Sequence, residues 1–250
     1  MREPRGTANP HTLIVANGIC VESDFDAALP ERAAALGRRD IRVLEIEAPW
    51  HGRRRKAGSY AGEPLLATAP LGPVDLFSTA AQDLGVLVDW CRQTSSGKVV
   101  LTGASMGSLG VMLAASHCGH WPRSMRPDAV VLLTATDDVA RLEQASALTS
   151  GIELNAALAA AGWTEEALAR WHPLVAAAPT APLPPEAILM VLGRRDAVLP
   201  FTSGTRLAER WRLPAYGIFI AEGGHFSSQG AALLDRRLAA RLGTLLGGAS

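Results

Sequence analysis

The sequence has little of what marks a secreted, membrane-spanning or nucleic-acid-binding protein. It contains three cysteines in 250 residues, Cys20, Cys91 and Cys118, and their spacing indicates no disulfide pair. No apolar run approaches the roughly 18 residues of a membrane span, and the N-terminal segment lacks the apolar core of a signal peptide. We therefore expect a protein of the reducing cytoplasm with no membrane association.

An excess of charge of either sign is also absent. The chain carries 24 lysines and arginines against 24 aspartates and glutamates, so its net charge gives no reason to expect a nucleic-acid partner. The basic run Arg53–Lys56 is typical of a solvated loop. Hydrophobic residues make up 48% of the chain and charged residues 19%, a composition that can bury a sizeable core.

The sequence does have an alternation of short apolar runs, rich in β-branched residues, with helical patterns. This alternation is typical of an α/β fold in which a mostly parallel sheet is covered by helices on both faces. The helical patterns lie at residues 26–39, 74–94, 106–119 and 231–246. One domain is expected over residues 1–250. Six strands are predicted, at residues 12–18, 41–49, 98–103, 128–136, 187–193 and 216–224.

A serine flanked by glycines follows the third predicted strand, in the segment "LTGASMGSLG" (Leu101–Gly110). A dinucleotide fingerprint would need G-x-G-x-x-G and an acidic residue about 20 positions on, but no Asp or Glu occurs between Ala104 and Pro127. A phosphate-binding P-loop would need Gly-Lys-Ser/Thr, which is also missing. The spacing fits a strained strand-to-helix turn that exposes Ser105 as a nucleophile.

A serine hydroxyl needs a neighbouring base to take its proton. His225 follows the sixth predicted strand and Asp196 follows the fifth, and the carboxyl ends of parallel strands share one edge of a sheet. The order Ser105, Asp196, His225 is that of a nucleophile elbow with its acid and base. Asp137 and Asp138, at the end of the fourth strand, are the alternative acids. The His-Cys-Gly-His segment at 117–120 lacks further ligands, so we expect no metal site.

The oxyanion hole is expected to come from two backbone N–H groups. One belongs to Met106, the residue after the nucleophile. The other is predicted from the loop that leaves the first strand, where Ile19 follows Gly18. Cys20 is the neighbouring alternative, and as a free thiol beside the site it could react with thiol reagents without being catalytic.

The segment between the fourth and fifth strands is too long for a single crossover helix. Residues 139–178 are predicted to form two or three helices that make a lid, and the alternative is a longer crossover with no substrate role. Thr164, followed by two glutamates, is predicted to cap a helix that carries Trp171 on its apolar side. We expect the lid to cover Ser105 and to place Trp163 or Trp171 in contact with substrate.

With these residues in place, the chain resembles the α/β-hydrolases over nearly its whole length. The resemblance rests on "GASMG", on "GRRD" followed by Pro200, and on "GGH", in that order. Asn17-Gly18 stands where many members carry His-Gly, and "APWHGRR" is similar to a loop of the dienelactone hydrolase and acetyl-esterase branches. The resemblance implies a doubly wound sheet in the order 2-1-3-4-5-6. It also implies that the first two strands of the usual fold are missing, because about eleven residues precede the first predicted strand.

The resemblance further implies a serine hydrolase that needs no cofactor and acts on small-molecule carboxylic esters. In it, Ser105 attacks the carbonyl carbon, His225 acts as the base, and Asp196 orients His225. A thioesterase or acyltransferase could use the same residues, with Arg53–Lys56 binding an acidic carrier or a coenzyme A phosphate. A binding protein without activity on the same scaffold is the third alternative, because a fold does not determine a function.

Overall fold

The structure, a computed structural model, describes residues 9–19, 41–139, 147–151 and 153–247. Its centre is one six-stranded sheet in which all neighbours pair in parallel, in the order β2-β1-β3-β4-β5-β6. This is the predicted strand order. The strands are β1 (His11–Ala16), β2 (Ile41–Ile46), β3 (Val99–Ala104), β4 (Ala129–Leu133), β5 (Ile188–Gly193) and β6 (Ile218–Ala221).

In the described residues, helices connect the successive strands from β2 to β6, as the sequence pattern predicts. The predicted helix at 26–39 and Cys20 lie outside the described residues. The helices described are α1 (Glu63–Ala67), α2 (Leu71–Thr94), α3 (Met106–His117), α4 (Ala147–Gly151), α5 (Leu154–Ala160), α6 (Glu165–Ala169), α7 (His172–Val175), α8 (Phe201–Arg210), α9 (His225–Leu234) and α10 (Arg236–Leu245).

Both faces of the sheet are buried, because alternate residues of each strand point to opposite sides. On one side, Leu101 of β3 and Leu132 of β4 belong to the same buried cluster as Leu84 of α2. On the other side, Val100 of β3 packs in a second cluster with Leu242 of α10. The nearly continuous apolar strands therefore reflect burial on two faces, as in other parallel sheets.

Helix boundaries differ from the sequence-based expectation most clearly at α2 and at the C-terminal helices. Helix α2 begins at Leu71 rather than residue 74, since a proline is tolerated in the first turn of a helix. The prediction of one closing helix over 231–246 is wrong, because α9 ends at Leu234 and α10 begins at Arg236. Asp235 makes this break: its carboxylate accepts hydrogen bonds from the backbone N–H groups of Arg237 and Leu238 and so caps α10.

The described part of the segment between β4 and β5 contains four short helices, α4 to α7, where two or three were predicted. Within it, residues 137–138 and 176–177 lie together, because Asp138 and Ala176 form an isolated antiparallel bridge and the Ala177 N–H donates to the Asp137 carbonyl at 2.9 Å. Thr164 caps α6 as predicted, accepting from the backbone N–H of residue 167 at 3.1 Å. However, α6 ends at residue 169, so Trp171 lies beyond the end of that helix. The prediction that the helix carries Trp171 is therefore wrong.

The chain turns from one side of the sheet to the other between β1 and β3, which are neighbours although β2 lies between them in sequence. Sheets of this kind bind their ligands in the crevice that such a reversal leaves at the carboxyl ends of the strands. The turn after β3 carries Ser105, and the loop after β1 carries Gly18. No helix in the described part of the chain is long and apolar enough to cross a membrane.

Candidate active site

Ser105 lies at a sharp turn between β3 and α3. Its backbone has φ +53° and ψ −121°, a conformation that costs a residue with a Cβ free energy. The Ser105 N–H donates to the Leu133 carbonyl of the neighbouring strand at 3.0 Å. The Ser105 carbonyl accepts hydrogen bonds from the N–H and the hydroxyl of Ser108, at 2.9 and 2.6 Å. These contacts hold the strained residue in place at the start of a helix.

The two glycines that flank Ser105 are required by close backbone approaches. A Cβ on Gly103 would overlap the carbonyl oxygen of Gly107, across the turn. A Cβ on Gly107 would overlap the carbonyl oxygen of Ala16 at the end of β1. The Gly-x-Ser-x-Gly spacing thus lets the turn close tightly against the neighbouring strand.

His225 and Asp196 meet Ser105 in one line of contacts. The Nε2 atom of His225 lies 2.7 Å from Ser105 Oγ, and its Nδ1 atom lies 2.8 Å from Asp196 Oδ2. The other carboxylate oxygen, Oδ1, accepts from the backbone N–H groups of Val198 and Leu199 at 2.9 and 2.8 Å. Both Asp196 and His225 are buried. The structure therefore brings together the three side chains that were predicted from the sequence as nucleophile, base and acid.

The alternative acid Asp137 binds two arginines rather than His225. Its carboxylate is fully buried and accepts hydrogen bonds from Arg206 Nε and Nη2, at 3.1 and 3.0 Å, and from Arg210 Nη2 at 3.2 Å. The hydrogen bond to Asp137 raises the pKa of Arg206, so the guanidinium stays charged. Asp138 lies at the base of the inserted segment, where its backbone contacts the Thr136 hydroxyl. Asp196 is the acid that contacts His225.

The loop after β1 reaches Ser105, as the oxyanion-hole prediction requires. A Cβ on Gly18 would lie 3.4 Å from Ser105 Cβ and 3.9 Å from its Oγ. Met106 is the first residue of α3, so its N–H is one of the groups that a helix leaves without an internal partner. The Asn17 side-chain amide donates to the Glu45 carboxylate on β2, which ties the loop to the neighbouring strand. Sequence reasoning missed this contact.

The loop after β2 packs against the same region. A Cβ on Gly62, which has φ +75°, would lie 2.6 Å from His51 Nε2 and 3.0 Å from Ile19 Cγ1. His51 is buried, and its Nδ1 lies 2.8 Å from the Pro49 carbonyl oxygen, to which a proton there would be donated. Gly62 in the loop after β2 thus lies close to both His51 and Ile19.

The basic run in this loop is partly neutralised. Arg53 Nε lies 3.1 Å from the carboxylate of Glu47, and Arg54 pairs with Asp83 of α2. The ammonium group of Lys56 lies 5.3 Å from the centre of the Trp50 ring. Arg53, Arg54 and Lys56 thus have partners within the protein.

Two further side chains beside His225 were not anticipated. Phe226 is 79% exposed, and its ring meets the imidazole edge-on with the centroids 5.1 Å apart. Gln229 lies one helical turn after His225 on α9, and its amide nitrogen is 3.2 Å from His225 Nε2. The same nitrogen donates to the hydroxyl of Thr134 at 3.0 Å. The four-residue spacing from the histidine was the available sequence signal.

The two tryptophans assigned to substrate contact lie against each other. The rings of Trp163 and Trp171 meet edge to face with centroids 6.5 Å apart, and both are half-buried. Helix α7, which follows Trp171, packs against α2. The lid prediction also rests on other apolar residues of the insertion, among them Leu142, Ile152, Leu154 and Leu158; of these, Leu154 and Leu158 are buried. Leu142 and Ile152 lie outside the described residues. The role of this segment over Ser105 stays a prediction.

Burial changes the pKa of two cysteines and one histidine in the described residues. Cys91 and Cys118 are free and buried, and burial raises the pKa of both thiols. Burial also lowers the pKa of His117, helped by the nearby His120. Within the described ranges, no group of three or more His, Cys, Asp or Glu side chains could hold a metal ion.

Comparison with solved structures gives matches over almost the entire chain. A putative hydrolase from Agrobacterium vitis S4 matches 98% of the chain and 91% of its own length, with a TM-score of 0.62 and 16% identity. A cold-adapted esterase from an Arctic intertidal metagenomic library matches 98% and 86%, with a TM-score of 0.61 and 15% identity. Alpha/beta hydrolase domain-containing protein 10 from mouse matches 99% and 92%, with a TM-score of 0.59 and 13% identity. No protein-family model and no curated protein sequence matches the chain.

Proposed function

Because the chain has the α/β-hydrolase fold, as its topology and these structural matches show, we propose that it is a serine hydrolase that cleaves carboxylic esters. The observation that carries the proposal is the pair of contacts from Ser105 Oγ to His225 Nε2, 2.7 Å, and from His225 Nδ1 to Asp196 Oδ2, 2.8 Å. A fold alone would not justify it, since function depends on the site.

The contacts of Asp196 determine which imidazole nitrogen carries the proton. An ionised carboxylate only accepts hydrogen bonds, so the Nδ1 proton of neutral His225 points at Asp196 and Nε2 is left as an acceptor. The Ser105 hydroxyl then donates to Nε2. In the first step Ser105 Oγ bonds to the ester carbonyl carbon and its proton passes to Nε2, while Asp196 stabilises the imidazolium.

The carbonyl oxygen becomes negatively charged when Ser105 attacks, and backbone N–H groups are suited to bind it. We assign Met106 and Ile19 as the two donors. Support comes from the position of Met106 at the start of α3 and from the close approach of the Gly18 segment to Ser105. The hydrogen bond from Asn17 to Glu45 ties that segment to β2.

The tetrahedral intermediate then expels the alcohol, whose oxygen takes the proton from His225 Nε2. The acyl group remains on Ser105 until a water molecule, deprotonated by His225, releases the acid. No cofactor takes part in this scheme. The substrate we propose is a small-molecule ester, for which the segment of α4 to α7 supplies part of the pocket through Trp163 or Trp171. The free thiols of Cys91 and Cys118 support a reducing, cytoplasmic location.

The ion pairs of the Arg53–Lys56 loop favour esters over thioesters of an acidic carrier as substrates. With Arg53 and Arg54 paired to carboxylates, the loop offers an anionic carrier less free positive charge than its sequence suggests. A non-catalytic role is disfavoured by the backbone strain at Ser105, which a binding scaffold has no need to maintain.

Catalytic competence is tested by labelling with a fluorophosphonate and by turnover of p-nitrophenyl esters. We expect the label on Ser105, and we expect Ser105→Ala to lose both labelling and at least a thousandfold of kcat while it keeps the melting temperature of the wild type. A label on another residue, or a variant that retains a tenth of the activity, would disprove the assignment.

A further inference from the structure

Gln229 stands beside the atom through which the proton of the proposed reaction passes. Its amide nitrogen lies 3.2 Å from His225 Nε2, while Ser105 Oγ lies 2.7 Å from the same atom. Residues four apart share one face of a helix, so α9 itself holds the amide next to the imidazole. Gln229 itself is half-buried.

The surrounding hydrogen bonds determine which end of the Gln229 amide faces His225. The single hydroxyl proton of Thr134 goes to the Leu133 carbonyl at 2.6 Å, so this hydroxyl can only accept from Gln229, at 3.0 Å. The atom near Thr134 is therefore the amide nitrogen, and the same nitrogen has its second proton directed to His225 Nε2. The Leu133 carbonyl also accepts from the Ser105 N–H, so the network reaches the nucleophile.

Two donors thus face one acceptor in the resting site. The lone pair of neutral His225 Nε2 can receive the Ser105 hydroxyl proton or the second Gln229 proton, and the Ser105 contact is the shorter by 0.5 Å (2.7 against 3.2 Å). When the Ser105 proton moves to Nε2, the lone pair disappears and the Gln229 proton loses its acceptor. An oxygen that approaches Nε2 to collect the proton then comes within reach of Gln229.

We propose that Gln229 is a further catalytic residue, whose amide N–H binds the oxygen of the leaving alcohol and later the attacking water. The inference rests on the proposed esterase function. During acylation the bond from the carbonyl carbon to the alcohol oxygen breaks, and that oxygen keeps the electron pair and takes the Nε2 proton. A donor aimed at this oxygen stabilises its developing negative charge. During deacylation the same donor orients the water whose proton goes to Nε2.

The basicity of the leaving group separates this role from a structural one. A p-nitrophenolate leaves readily with little help, whereas an ethoxide needs both a proton and a donor. We expect Gln229→Met, which keeps the length of the side chain and removes the donor, to lower kcat/KM for ethyl acetate by about 10- to 100-fold. For p-nitrophenyl acetate, the expected loss in kcat/KM is less than about threefold. The steady-state rate after the burst should nevertheless fall, because deacylation still needs the water to be oriented.

Gln93→Leu on α2 is the control, since it removes an exposed glutamine whose amide donates to Asp89. Thr134→Val removes the acceptor that orients Gln229 and is expected to shift the ratio of the two esters in the same direction, so it provides a second variant if Gln229→Met melts far below the wild type. A loss in kcat/KM that is equal for both esters, or no loss, would overturn the role of Gln229 alone. A wild type that neither hydrolyses these esters nor takes a fluorophosphonate label would overturn the proposed function, and this inference with it.

Discussion

Replacing Asp196 by Asn should slow ester turnover by about 10⁴-fold without unfolding the protein. The reason lies in the two oxygens of the carboxylate. Oδ1 accepts from the backbone N–H groups of Val198 and Leu199, at 2.9 and 2.8 Å, and an asparagine must keep its only oxygen there. Its NH₂ group then takes the place of Oδ2, 2.8 Å from His225 Nδ1.

The asparagine NH₂ would force the wrong tautomer on His225. A donor that faces Nδ1 requires a lone pair on that atom, so the imidazole proton moves to Nε2, 2.7 Å from Ser105 Oγ. Nε2 can then no longer accept the Ser105 proton, although every heavy atom stays in place. The expected loss of four orders of magnitude corresponds to about 5 kcal/mol of transition-state stabilisation.

Asp137→Asn is the matched control, because it makes the same chemical change at the other buried aspartate. This variant should keep kcat within about threefold of the wild type, since Asp137 contacts Arg206 and Arg210 rather than His225. It should lose about 1–2 kcal/mol of unfolding free energy, a small value for a buried charge because the two arginines remain 40% and 35% exposed.

Steady-state turnover of p-nitrophenyl acetate and urea unfolding, measured on both variants, give the comparison. We expect Asp196→Asn to fail in the first assay and Asp137→Asn to differ mainly in the second. The reverse result, with folded Asp137→Asn inactive and Asp196→Asn active, would refute the argument from the hydrogen bonds of Asp196.

Three other predictions concern the segment between β4 and β5, the turn at Gly107 and the helix cap at Asp235. Trp163→Ala and Trp171→Ala should change the preference among acyl chain lengths of p-nitrophenyl esters more than the melting temperature; destabilised variants with the parental preference would show that the segment only packs. Gly107→Ala should destabilise the fold by several kcal/mol in urea unfolding, because its Cβ would overlap a backbone carbonyl of β1, and a wild-type unfolding midpoint would contradict that overlap. Asp235→Asn should cost about 0.5 kcal/mol near pH 7. The hydrogen bond from Arg237 lowers the pKa of Asp235 in the folded state. The difference in unfolding free energy between the wild type and Asp235→Asn should therefore disappear as the pH falls through that lowered pKa. A difference that persists in acid would exclude the carboxylate as its cause.

The strand order and the grouping of Ser105, Asp196 and His225 could be predicted because each depends on a local pattern. A serine between two glycines after an apolar run specifies a tight turn wherever the chain is folded. Parallel topology then brings the ends of β3, β5 and β6 to one edge without any knowledge of side-chain contacts. The capping role of Thr164 follows in the same way from three adjacent residues.

What escaped prediction depends on contacts between distant parts of the chain. The carboxylate of Asp137 is bound by arginines about 70 positions away, and Gln229 meets a hydroxyl 95 positions away. Nothing in the local sequence distinguishes these side chains from exposed ones. The break between α9 and α10 was missed for a different reason, because the helical pattern continues through Asp235 and hides its capping role.

The bridged residues at the base of the segment between β4 and β5 would let the proposed substrate pocket change independently of the proposed catalytic residues. Because Asp138 and Ala176 are bridged, the excursion between these two residues starts and finishes at nearly the same point, before the chain continues to the start of β5. An excursion that starts and finishes in one place can be lengthened, shortened or exchanged at a modest entropic cost and without moving the strands. Relatives with quite different α4 to α7 segments could therefore share one catalytic sheet, and a chimera with a foreign segment joined at these two residues should inherit the donor's substrate range.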